Sequence, residues 1–64
     1  METTPILVLM KEVGEEADNA ITMFKNSKDT KLKQKERNMA NDSYVESVRN
    51  VCQLVHAIEK LNQA

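Results

Sequence analysis

Ile6-Leu-Val-Leu-Met-Lys-Glu-Val-Gly-Glu-Glu-Ala-Asp-Asn-Ala-Ile-Thr-Met-Phe24 decides the fold of this chain. At about 100° per residue, Ile6, Leu9, Met10, Val13, Ala17, Ala20, Ile21 and Phe24 fall within an arc of roughly 120°, the width of the core-facing surface of a helix. Six of them, at 6, 10, 13, 17, 20 and 24, keep the alternating four- and three-residue spacing of a heptad seam. The stretch also carries its own boundaries. Thr3 or Thr4 can cap the start, with Pro5 at the first helical position, where a missing N–H costs nothing. Lys25 suits the negative end of the helix dipole, and Asn26 can take the left-handed conformation that closes a helix.

Tyr44 to Leu61 repeats the pattern. Tyr44, Val48, Val51, Leu54, Val55, Ile58 and Leu61 share one face, with heptad spacing at 44, 48, 51, 55 and 58. Its β-branched content is high, yet the residues do not alternate, and Asn50, Gln53, His56 and Glu59 recur on the other side, so helix is the better reading. Ser43-Tyr44-Val45-Glu46 reads as a capping box and predicts a helix start at 43.

Between the stripes lies a polar stretch without an apolar face. Two arrangements fit it. In one, Asp29 or Thr30 caps a short third helix over about 30–40 that docks Leu32 and Met39. In the other, a single helix runs from about 30 to 62 with the box at Ser43 unused, which would set Phe24, Ala20 and Ala17 against Lys33, Arg37 and Ala40 and leave 54–61 projecting. Matching of the two stripe lengths favours a break. The expected organisation is therefore one domain over 1–64, with a helix at about 4–26, a connector or short helix at about 29–40, and a helix at about 43–62.

The fold class that follows is all-α: an antiparallel helical hairpin, with or without the short third helix. At 64 residues such a chain sits near the size at which a single hydrophobic core is marginal. Dimerisation or the capture of a partner helix is the expected remedy. The lone Cys52 excludes an internal disulfide and points to a reducing, cytoplasmic setting. The apolar run Ile6–Met10 is short, follows Glu2 rather than a basic start and runs into Lys11-Glu12, so it is not a signal peptide. No segment reaches the roughly 20 apolar residues of a membrane span.

No residue pattern suggests an enzyme, a metal centre or a cofactor. His56 falls on the solvent side of its helix, with no second histidine or cysteine to complete a metal site. Cys52 and His56 are spaced i, i+4, but no third group orients the imidazole. Glu12, Glu15, Glu16 and Asp18 lie on a solvated helix face, and the glycines of a phosphate loop are missing. Gly14 interrupts the first helix at a cost near 1 kcal/mol relative to Ala. It marks either a close approach by another backbone or a weak spot on a solvated flank.

Two candidate interaction surfaces remain. Leu7 and Val8 point away from the first apolar arc, and Val45 and Cys52 form a ridge beside the second, so these four are the candidate protein-binding residues. Lys28, Lys31, Lys33, Lys35 and Arg37 concentrate positive charge in and around the connector and are the candidate polyanion contacts. Asp29 and Glu36 dilute that run, no aromatic residue interleaves for base stacking, and the pI near 5.7 speaks against a dedicated nucleic-acid binder.

In size and outline the whole chain is similar to ROP-type plasmid RNA-binding hairpins and to the small hairpin co-chaperones of bacterial type III secretion, though no diagnostic motif carries the likeness. The expected function is a non-enzymatic protein–protein interaction module, an adaptor or co-chaperone-like subunit that binds a partner's amphipathic helix through an apolar face. The alternatives are a ROP-like homodimer that binds RNA or another polyanion through Lys25–Arg37, and a purely structural homo-oligomer subunit. Fold alone does not choose among them.

Overall fold

The computed structural model describes residues 3–63, which form two helices, α1 (Thr4–Ser27) and α2 (Gln34–Gln63). They pack against each other as an antiparallel hairpin with principal extents of 49 × 14 × 10 Å. α1 starts as its local sequence predicts, with Pro5 in its first turn and Thr3 at the cap position. The Thr3 side chain makes no capping hydrogen bond, however, and the first turn is closed by Leu7 N–H donating to the Thr3 carbonyl at 3.1 Å. Lys25 lies in the last turn, where a cation meets the carbonyl end of the dipole.

The C-terminus of α1 closes differently from the expectation. Asn26 remains helical, and Lys28 ends the helix in the right-handed region, its N–H turned back to the Asn26 and Lys25 carbonyls. No described residue has a positive φ. The connector 28–33 is held by its own turns instead. Asp29 N–H donates to the Asn26 carbonyl, Lys31 N–H to Asp29 Oδ1 at 2.9 Å, and Leu32 N–H to the Asp29 carbonyl at 3.1 Å. Asp29 thus shapes the connector as an Asx turn and caps no third helix.

Residues 34–63 form one continuous helix, so of the two arrangements open to the sequence the structure takes the single one. Ser43 and Glu46 sit inside it and the capping box is unused. A cap satisfies one or two amides, whereas a break here would forfeit several consecutive i to i−4 bonds. Yet the two stripes still pair end to end. Phe24 meets Tyr44, Asn19 meets Ser47, and Glu16 meets Asn50, so 54–61 does not project as a continuous helix was expected to make it. The short connector and the extra N-terminal turn of α2 absorb the difference in length.

The line of contact is also rotated from the expected seam. On α1 the half-buried positions include Ile6, Leu9, Val13, Glu16, Ala17, Ala20 and Met23, while Met10 and Phe24 of the expected seam are exposed. On α2 the most shielded positions are Ala40 and Ser47, which are 7% and 3% exposed and are the only buried residues among those described. Small side chains there let the helices come together, but they bury little apolar surface. No described side chain is fully buried.

Candidate functional site

The two faces of the hairpin differ in chemistry. On one, Asn50 Nδ2 donates to Glu16 Oε2 at 3.3 Å and Asn19 Nδ2 donates to Ser47 Oγ at 2.6 Å. Glu12, Glu15, Glu16, Asn50, Gln53 and Leu54 line a shallow groove of about 460 Å³ there. These carboxylates face solvent beside two amides, with no cationic or nucleophilic side chain among the groove's lining residues to turn them to chemistry.

The opposite face is apolar. The Phe24 and Tyr44 rings meet at its loop end, centroids 5.3 Å apart and planes tilted by 58°, a favourable arrangement for aromatic quadrupoles. With Ala20, Ile21 and Lys25 they line a shallow groove of about 380 Å³. From that end, helical spacing carries Ala17 and Met10 along α1 and Val48 and Val55 along α2 on the same side. Met10, Ile21, Phe24, Val48 and Val55 are all exposed. A helix positions each of them rigidly, so the face is a preformed surface.

Of the four predicted protein-binding residues, all exposed, three border this face. Leu7 extends it on α1, and Val45 and Cys52 extend it on α2. Val8 stands apart, because it shares its strip of α1 with Glu12, Glu15 and Asn19 and so belongs to the polar side. Met10, Ile21, Phe24, Val48 and Val55 are not singled out as interaction residues by the sequence, whose periodicity assigns them to the hairpin's own core. Their regular spacing is visible there; the rotation of the seam away from them is not.

The basic residues gather at the loop end. Lys28 Nζ lies 5.6 Å from the centroid of the Phe24 ring, within cation–π range. Arg37 donates to Gln34 Oε1 at 2.9 Å, and its Nε is shielded without a hydrogen-bond partner. Lys31, Lys33 and Lys35 are exposed around the connector. Cys52 and His56 are exposed one turn apart on α2. Among the described residues no group of three or more His, Cys, Asp or Glu side chains could hold a metal ion, and no helix is long and apolar enough to cross a membrane.

Fold and surface together define a two-helix hairpin with one mainly apolar face and an opposite face on which Glu12, Glu15, Glu16 and Asn50 give way near the loop to Met23, Leu32 and Met39. No family model matches the sequence, and neither the curated proteins nor the solved structures include a match to it.

Proposed function

We propose that this protein is a non-enzymatic docking module whose apolar face takes up a helical surface of a protein partner. One observation carries the reading. The hairpin's two buried residues are the small Ala40 and Ser47, and its larger apolar contacts, Ile6, Leu9, Val13, Val51, Leu54 and Ile58, are only half-buried, while Met10, Ile21, Phe24, Val48 and Val55 stand exposed on a single side. A hairpin that satisfied all of its apolar surface internally would leave no such row exposed. Burying them returns roughly 25 cal/mol for each Å² of apolar surface removed from water, and parallel ridges on two helices form a groove that accepts a further helix.

Contact with a polyanion through Lys28, Lys31, Lys33, Lys35 and Arg37 is the competing reading. A cationic loop end supports it, but that end is diluted by Asp29 and Glu36, and its two rings, Phe24 and Tyr44, pack on each other with Lys28 beside Phe24. Paired substitutions separate the two. Val48→Glu and Met10→Glu place a charge on the apolar face and should abolish association, measured by sedimentation or by recovery of the complex. Lys33→Gln with Lys35→Gln should leave it within about threefold. A complex that survives both glutamate substitutions and dissolves steeply with salt would replace the docking reading with the polyanion one.

A further inference from the structure

We infer that the occupant of the apolar face is a second copy of this chain, related by a two-fold axis perpendicular to the helices. The inference rests on the docking reading and names its partner.

α1 carries a second heptad seam, at 7, 10, 14, 17, 21 and 24, all exposed but the half-buried Ala17. In chain order it is Leu, Met, Gly, Ala, Ile, Phe: two large residues, two small, two large. In an antiparallel pair of helices, each layer of one seam meets the complementary layer of the other. A two-fold centred between Gly14 and Ala17 therefore sets Leu7 against Phe24 of the second copy, Met10 against Ile21, and Gly14 against Ala17. Bulk meets bulk at the ends and the backbones approach at the centre. That symmetry of size is what an isologous interface requires of a single strip of sequence, and an unrelated partner would not impose it.

Charge obeys the same operation. The positions flanking this seam on its outer edge are Lys11, Asp18 and, at the loop end, Lys25. The antiparallel arrangement brings Lys11 of each copy beside Asp18 of the other, giving two opposite-charge pairs about the axis.

α2 agrees independently. Its matching strip is Val45, Val48, Cys52 and Val55, and its midpoint is Asn50. The midpoint of the α1 seam falls at Glu15–Glu16, and Asn50 and Glu16 are in direct contact at 3.3 Å. The two strips thus share one centre along the hairpin, and a single axis serves both. Val45 then meets Val55 of the second copy, Val48 meets Cys52, and Asp42 lies beside His56. One juxtaposition is unfavourable, Arg49 against its own copy, at the solvent edge.

Gly14 acquires a reason in this arrangement. Within the hairpin a Cβ at that position would meet nothing within 4 Å, so intrachain packing does not require glycine there. Close approach of the second α1 does.

The test is a thiol pairing experiment in a Cys52→Ala background. Chains carrying Leu7→Cys and chains carrying Phe24→Cys are mixed at equal concentration in a glutathione redox buffer. The mixed disulfide, joining position 7 of one chain to position 24 of the other, should exceed either self pair at least tenfold. Sedimentation should show two chains per particle. Lys11→Asp and Asp18→Lys should each weaken the dimer several-fold, and the double exchange should restore it. Self pairs predominating would overturn the antiparallel two-fold. A chain that stays monomeric alone, yet has Met10 shielded from oxidation in a complex with a different protein isolated from its source, would overturn the second copy and leave the docking role standing. Met10 as reactive as the exposed Met39 both alone and in the source would overturn both.

Discussion

Asn19 donates a hydrogen bond to Ser47 at 2.6 Å, and Ser47 is the least exposed residue described, at 3%. A polar pair thus bridges the two helices at their most shielded side chain. Such a contact fixes register better than it contributes stability, since a net hydrogen bond is worth about 1 kcal/mol and a wrong register would strand a buried hydroxyl.

Ser47→Ala should therefore cost little, about 1 kcal/mol or less, because exposed Asn19 can return to water. Ser47→Leu should cost about 1–3 kcal/mol, since the added bulk must push the helices apart. Urea denaturation of both variants at one protein concentration checks the ordering. A Leu variant as stable as the parent would mean that the close fit lies elsewhere.

At Gly14 the expected result depends on association. In the lone hairpin Gly14→Ala should stabilise α1 by about 1 kcal/mol, through helix propensity alone. Gly14→Leu should preserve that helical preference and yet weaken association at least tenfold. Circular dichroism at low concentration, paired with sedimentation at high concentration, separates the effects. Equal association of the parent and the Leu variant would place Gly14 on a free flank.

Phe24 offers a second gauge of coverage. It is 45% exposed in the hairpin, so Phe24→Ala should cost only about 1 kcal/mol if the face stays open. If the face is covered, the loss should approach the roughly 3–5 kcal/mol typical of a buried phenylalanine. Denaturation midpoints at concentrations above and below the association range distinguish the two, and an unchanged cost across that range would argue against coverage.

Asp29 tests the connector. Asp29→Ala removes the acceptor for Lys31 N–H and should lower stability by about 1 kcal/mol, whereas Asp29→Asn, which keeps an acceptor oxygen, should be nearly silent. Thermal melts at fixed concentration would show this. Equal losses in both variants would assign the effect to charge.

Much of the fold was legible from the two stripes, because a helix's apolar arc and its punctuation are local properties. The line along which the stripes meet was not. The arc on α1 is wide enough to hold two heptad seams, one through Ile6, Leu9, Val13 and Ala20 and one through Met10, Ala17 and Phe24. Which of them faces α2 is settled by register and by the close fit at Ala40 and Ser47, which no periodicity reveals. Glu16 and Asn50 read as solvated for the same reason. The box at Ser43 misled because capping signals are equally local, and a helix continuing through them keeps its backbone bonds. Leu7, Val8, Val45 and Cys52 are legible as apolar residues outside the expected core, but which side of the hairpin each lies on depends on the same rotation of the seam, which sets Val8 beside Glu12, Glu15 and Asn19.

Met10 and Met39 provide the most direct test of the central claim, that the apolar face is covered in the working protein. They are 51% and 63% exposed in the hairpin, on opposite sides, so peroxide should convert both to the sulfoxide at similar rates in a lone chain. Oxidation followed by peptide mass spectrometry, at protein concentrations spanning nanomolar to high micromolar, reads each rate separately. Met10 should become at least fivefold slower than Met39 as concentration rises, while Met39 is unchanged. Equal rates at every concentration, in a particle that sediments as one chain, would contradict it.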